Sequence, residues 1–269
     1  MILTKKFISF FIVLCLCLSF FLFLSFFQDN LVAQIGKEKI SEKDIEYQIA
    51  IENCYSEREI SKDVALIQLK NKFLEKEILR MAFGVEPDDT VLEEKAKWVD
   101  ENTKAPEILD CVKSVFGNDR KNYLRLYIQP TLVNPKLHSL FSQSEEIHKD
   151  KIERIKQIYE EVKNGKDLKN FSEYNTFEIE KQIQTSELFE EKGVKFQENP
   201  LIEKVIKNLE AGEIWDDIIE DDYSYQIIRF LKEDDEKYYC DGVVVEKKLF
   251  DEWFDNFITE NIEINIKDY

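Results

Sequence analysis

Glycine and proline are scarce in this chain, 7 and 5 among 269 residues. A sandwich of short strands needs turn formers roughly every 8 to 12 residues, so an all-β architecture is excluded and long helices with few turns are expected. Histidine occurs only twice, at His138 and His148. With no CxxC pair and no Cys/His cluster, structural zinc and thioredoxin-like chemistry have no residues to work with, and no cofactor is implied. Basic residues are outnumbered, 37 against 55 acidic, for a net charge of −18. A surface of that sign repels phosphates, which argues against a nucleic-acid partner. What is abundant is aromatic: 20 Phe and 11 Tyr, enough apolar area to exclude a disordered chain.

Phe7 to Phe27 forms an apolar run of 21 residues without a charge, with Ser9, Ser19 and Ser25 as its only polar interruptions. At about 1.5 Å per residue it matches a bilayer core of about 30 Å, so an uncleaved transmembrane anchor is expected. The competing reading is a signal peptide, whose apolar region is typically about 7 to 15 residues and ends in a small-x-small site. Leu31-Val32-Ala33 offers Leu where a small residue is wanted. Lys5 and Lys6 precede the run, and the next basic residue is Lys37, which places the N-terminus in the cytoplasm and the acidic body outside. The expectation is a single-pass inner-membrane protein bound to the membrane through residues 7–27. Cys15 and Cys17 lie within the run as small apolar residues. Cys54 and Cys111 flank predicted helices of one exported unit, so a disulfide between them and two free thiols are equally open, with Cys240 left reduced.

Three segments follow from the patterning: 1–30 as cytoplasmic tip and anchor, 31–148 as a helical unit, and 149–269 as an α+β unit with an antiparallel sheet. In the helical unit, two short extended pieces around Gly36-Lys37 lead to Ser41. Asp44 three residues later makes a capping box with it. Ser61 caps a second helix that Gly84 and Pro87 end, and further helices are predicted over 89–102, 107–116, 119–129 and 132–142. In the α+β unit, Ile152, Ile155, Ile158, Tyr159 and Val162 form a helical stripe. A weak strand over 176–184 is followed by a helix from Pro200 to Gly212, then a hairpin of Ile214–Glu220 and Tyr225–Leu231. Cys240–Val245 is a strand whose continuous apolar run suits an interior position. A helix through Phe250, Trp253, Phe254 and Phe257 precedes a last strand, Ile262–Ile266, which is expected to return to Leu31–Ile35, since either strand alone would leave its backbone unpaired.

Several of these segments resemble one family. Val32-Ala33-Gln34-Ile35-Gly36-Lys37-Glu38-Lys39-Ile40-Ser41 is similar to the opening of SurA-type periplasmic chaperones and their membrane-anchored relatives, which carry a parvulin-type peptidyl-prolyl isomerase domain. Asn164-Gly165-Lys166-Asp167-Leu168-Lys169-Asn170-Phe171 resembles the parvulin step out of its first helix. Leu209 to Ile214, Ile218-Ile219-Glu220 and Tyr225-Gln226-Ile227-Ile228-Arg229-Phe230-Leu231 resemble its helix end, strand and Gly-x-His-Ile-Ile-type strand. The resemblance covers about residues 32–233 loosely and 201–231 specifically. It implies a SurA-like chaperone domain over 31–148, a parvulin-like domain over 149–269, and unfolded or nascent exported polypeptides as partners.

The departures bear on chemistry. Gln226 stands where parvulins carry their second His, no equivalent of their first strand precedes Ile152, and the Gly-Phe central motif is missing. Cys240–Val245 is expected to fill the central place of that first strand, which would put Asp241 or Val243 where the family carries its first His. Isomerisation lowers the rotational barrier of an amide, about 18 to 20 kcal/mol, and needs no proton transfer. Gln226 therefore remains the one candidate for tuning such a site, beside the plainer reading that it faces solvent on a strand. The acidic runs Asp216-Asp217, Glu220-Asp221-Asp222 and Glu233-Asp234-Asp235-Glu236 lack calcium-loop spacing and read as turns. Two functions stay open: a folding factor acting mainly as chaperone with weak or lost isomerase activity, and a non-enzymatic adaptor docking on one membrane-proximal partner.

Overall fold

A computed structural model describes residues 31–56, 59–181 and 204–267. The chain divides into two compact units, one formed by residues up to Leu140 together with those from Trp253, the other by Phe141–Glu252. Among the described residues no helix is long and apolar enough to cross a membrane. The run Phe7–Phe27, on which the expected anchor rested, lies outside the described residues. The expected fold class is corrected accordingly: it is α+β with antiparallel sheets, and the transmembrane helix has no counterpart among the described residues. The single-pass inner-membrane placement and the membrane partner are withdrawn with it. The longest described helix, Lys62–Phe83, has 22 residues, but charges such as Lys72, Glu75 and Glu77 recur along it.

The first unit begins with strands β1 (Leu31–Ile35) and β2 (Glu38–Ser41), paired antiparallel with Ile35 opposite Glu38. Gly36 makes the turn at φ +54°, and a Cβ there would meet the Glu77 carboxylate at 2.9 Å. Ser41 caps α1 (Glu42–Tyr55) through the expected capping box with Asp44. Asp44 also accepts from Arg125 at 2.9 Å, so the helix start is tied to a segment 81 residues away. Helices α2 (Lys62–Phe83), α3 (Asp89–Asn102) and α4 (Pro106–Phe116) follow. Cys54 and Cys111 form a disulfide between α1 and α4, their Cα atoms 5.8 Å apart.

Where two helices are predicted over 119–142, one continuous helical rod is observed. It comprises α5 (Arg120–Tyr123), a π-helical turn (Leu124–Ile128) and α6 (Gln129–Ser142). Pro130 has no N–H to give the carbonyl of Leu126, four residues earlier. That carbonyl instead receives the ammonium of Lys72 at 3.4 Å, and the helix continues past the proline. The helix Phe250–Asn261, α8, sends Phe254 and Ile258 into this core. The last strand, Ile264–Ile266, then pairs with β1, Ile35 opposite Ile264, as unpaired backbone at both chain ends requires.

In the second unit α7 (Lys149–Lys163) and a 3-10 turn (Leu168–Asn170) lead into β3 (Tyr174–Glu180), β4 (Ile219–Glu220), β5 (Ser224–Glu233) and β6 (Lys237–Glu246). The sheet order is β3-β6-β5-β4, and the terminal strand of the first unit, Ile264–Ile266, is β7. Neighbouring residues of β5 point to opposite faces. Tyr225 and Ile227 join Ile155 and Ile158 of α7, while Ile228 and Phe230 join Val205 and Ile206. Burial on both faces explains the continuous apolar runs of β5 and β6 and the interior place of β6. The predicted strand Ile214–Glu220 shrinks to Ile219–Glu220. Residues 212–215 do bond to β5, Trp215 N–H to the Ile228 carbonyl at 2.9 Å, but Asp217 draws the Ile218 N–H to its own side chain at 2.8 Å and breaks the run.

Gly242 lies opposite Ile228 in the middle of this sheet. A Cβ there would collide with the Ile227 carbonyl oxygen and sit 3.2 Å from the Ile228 Cα, both backbone atoms that no rotamer change can move. Gly242→Ala is therefore expected to destabilise the unit by about 3 kcal/mol, the upper part of the usual overpacking range. Urea denaturation measures it, and a loss below about 1 kcal/mol would mean that the strands separate with little resistance.

Candidate functional site

Gln226 is the residue from which a catalytic centre would be built, and its position is set by β5, with Ile219 and Val244 on either side. The strand is preceded by a turn organised by one carboxylate. Asp221 accepts from the backbone N–H of Tyr223 (2.8 Å) and Ser224 (2.7 Å), from the Ser224 hydroxyl (3.1 Å) and from Gln226 Nε2 (2.9 Å). Gln226 Nε2 also donates to Ser224 Oγ at 2.7 Å. Only 7% of the residue is exposed, and Oε1 has no hydrogen-bond partner among the described residues. Gln226 thus neither faces solvent nor offers its amide outward; it closes the β4–β5 turn from inside. Asp234 builds the β5–β6 turn in the same way, accepting from Glu236 N–H (2.9 Å), Lys237 N–H (2.7 Å) and the Tyr239 hydroxyl (2.8 Å). The acidic runs are turn formers, and among the described residues no group of three or more His, Cys, Asp or Glu is placed to hold a metal ion.

A second polar constellation spans β3, β5 and β6. Asp241 is 1% exposed and accepts from Arg229 Nε (2.8 Å), Arg229 Nη2 (2.6 Å) and the Tyr174 hydroxyl (3.0 Å). Burial pushes the Asp241 carboxyl up, but the Arg229 and Tyr174 hydrogen bonds outweigh it and hold the group below the usual carboxylate range. Val243, two residues on, is packed against α7. Of the two residues that could stand for a parvulin's first histidine, one is thus committed to an ion pair and the other to the core. The resemblance contains Arg229 without giving it a role, and composition gave no sign of Tyr174. The readable signal was a charge in each of two apolar runs, Arg229 beside Ile228 and Asp241 beside Cys240, which in paired strands have to meet.

Beside this sheet a polar groove of about 460 Å³ runs between the start of α7 and the strands, lined among others by Lys151, Arg154, Glu173, Asn175 and Glu246. Its centre is a two-pronged pair, Arg154 Nε and Nη2 to Glu173 at 2.7 and 3.0 Å, with the Ser172 hydroxyl adding a bond at 2.8 Å. Arg154 above all holds the Glu173 carboxyl down to about 2. The charges satisfy one another, and the groove's lining contains no nucleophile poised beside a base. His138 is exposed on α6. His148 is fully buried and hydrogen-bonded, unlike the ordinary surface or interface histidine its loop position suggests.

The helical unit exposes several large apolar side chains: Val64 and Ile67 on α2, Val91 and Trp98 on α3, and Tyr55 at the end of α1. The Lys95 ammonium lies over the Trp98 ring, 4.0 Å from its centroid.

No family model matches the chain, so the parvulin part of the resemblance has no match of its own. No curated protein matches it either. Among solved structures the chain is similar to one of two structurally related SurA-like chaperones of Campylobacter jejuni, the virulence factor PEB4 and the periplasmic protein Cj1289. The two chains are 14% identical, the match covers 89% of this chain and 99% of that one, and the TM-score is 0.28.

Proposed function

We propose that this protein is a SurA-like folding factor that binds non-native polypeptide segments and does not catalyse prolyl isomerisation. The observation that carries the reading is the state of the sheet. Neither place where a parvulin would present an imidazole offers a free polar group: Gln226 is engaged by Asp221 and Ser224, and of the two residues that could take the other place Asp241 is engaged by Arg229 and Tyr174 while Val243 packs in the core. Binding without chemistry asks for accessible apolar area on a body whose net charge keeps it soluble. Ile67 and Trp98, 58% and 54% exposed, supply part of that area on a chain of net charge −18. The Cys54–Cys111 bridge favours an oxidising, extracytoplasmic compartment as the place of action.

The test uses the full chain in two assays. Stoichiometric protein is expected to suppress aggregation of several unrelated denatured clients, while cis-trans exchange of a proline peptide stays within two-fold of the uncatalysed rate, with or without Gln226→Ala. A ten-fold acceleration that Gln226→Ala abolishes, about 1.4 kcal/mol of transition-state stabilisation, would restore the isomerase reading. No effect on any client, with co-purification of a single protein, would favour an adaptor.

A further inference from the structure

The second unit is entered at Phe141 and left at Glu252. One side chain ties its entering and leaving segments together. The imidazole of His148, 0% exposed, has Nε2 3.0 Å from the Phe141 carbonyl oxygen, and Nδ1 accepts the backbone N–H of Lys248 at 3.3 Å, across 100 residues of chain. A carbonyl can only accept and a backbone N–H can only donate, so the tautomer is fixed by its partners: the proton sits on Nε2 and Nδ1 is the bare acceptor. The Phe141 ring stands edge-on to the imidazole at 5.0 Å and to Phe250 at 5.2 Å, which keeps water from this junction. Lys247 repeats the connection beside it, donating to the Ser142 carbonyl at 2.8 Å and to Glu220 at 2.7 Å.

The charged groups facing the ring are few. Lys247 and Lys248 come from the segment after β6, and Asp150 comes from the first turn of α7, where the Lys248 ammonium already holds it at 3.1 Å. The end of α6 contributes the Phe141 carbonyl, and Phe250 brings no titratable group. A proton added to Nδ1 therefore gains no carboxylate of its own.

We propose that His148 is a pH-sensitive latch: in mild acid Nδ1 takes a proton from solvent, loses the Lys248 N–H as a partner and turns donor against donor, releasing the leaving segment from the entering one. Burial, reinforced by the two lysines, holds the imidazole below its ordinary value near 6.5, against smaller opposing effects of the Phe141 carbonyl and Asp150. A depressed histidine binds its proton more readily in the open state. The latch is thus fully closed above about pH 6.5, where the released imidazole is also neutral, and weakens steadily as pH falls below that value.

Native-state hydrogen exchange on the full chain, normalised to unfolded-chain rates at each pH, reads the latch at one amide. Between pH 7.5 and pH 5 the protection of Lys248 N–H is expected to fall at least ten-fold, while Ile227 and Val243 in the sheet keep theirs. In His148→Gln, whose amide can still accept from Lys248 and cannot take up a proton in this range, the change is expected to stay under two-fold. Unchanged protection in the natural chain, or an equal fall in His148→Gln, overturns the proposal. Should that variant not fold, the imidazole resonances of the natural chain decide: the fall in protection has to track His148 titration, and titration with no loss of protection overturns the latch.

Discussion

Arg229→Ala is expected to destabilise the second unit by about 3 to 5 kcal/mol, the range for removing one partner of a buried ion pair. The Arg229 guanidinium holds both oxygens of Asp241, and Asp241 has no exposure to water with which to compensate the loss. The Tyr174 hydroxyl alone cannot neutralise a buried carboxylate. The pH dependence gives a second reading. In the natural chain the Asp241 carboxyl lies below its ordinary value, so the stability it contributes is present above about pH 4 and is lost as pH falls through the folded value. In Arg229→Ala the Tyr174 hydrogen bond is left to oppose burial without the guanidinium and the value rises, so acidification from pH 7 toward pH 5 recovers part of the loss by protonating the buried group. Replacing both residues with apolar ones of similar volume is expected to come within about 1 kcal/mol of the natural chain or to exceed it. Urea denaturation followed by tryptophan fluorescence, with Trp215 as the unit's own reporter, measures all three. A loss under 1 kcal/mol for Arg229→Ala would mean that water reaches Asp241.

In the first unit the largest expected effect belongs to the disulfide. Joining residues 57 apart removes loop-closure freedom from the unfolded chain worth about 4 kcal/mol on the chain-entropy account. Serine at both Cys54 and Cys111 is expected to lose roughly that amount, and dithiothreitol to reproduce it, because Cys111 is exposed on α4. A denaturation midpoint indifferent to reductant, with equal stability of the double serine variant, would show that α1 and α4 are held by their packing alone.

How far the sequence foretold this molecule depended on how local each signal was. Ser41 with Asp44, Ser61, and Gly84 at φ +65° mark helix ends by interactions within three or four residues, and all three stand where the spacing puts them. The pairing of Ile264–Ile266 with β1 was reachable by a different route, since a short strand left by itself has unpaired backbone groups to satisfy. The separate helices expected over 119–129 and 132–142 are one rod because the carbonyl that Pro130 leaves without an N–H is met by the ammonium of Lys72, on another helix 58 positions earlier in the chain. Ile214–Glu220 misled because β propensity says nothing of Asp217 capturing the next N–H. The site was the least legible part. Gln226 was visible as a residue, but its role inside the turn depends on Asp221, and the burial of His148 depends on Lys248, a hundred residues on.

The pairing of β1 with the last strand also sets an order of events during synthesis. Ile35 leaves the ribosome long before Ile264, its partner. At about 5 to 20 residues per second, the interval is roughly 10 to 45 seconds. During that time β1 can pair with β2 alone, one edge of the hairpin carries unmatched donors and acceptors, and the whole of Phe141–Glu252 is made and free to close. The unit that starts first is therefore completed last, and a nascent chain stalled shortly before Ile264 holds a finished second unit beside an unfinished first one.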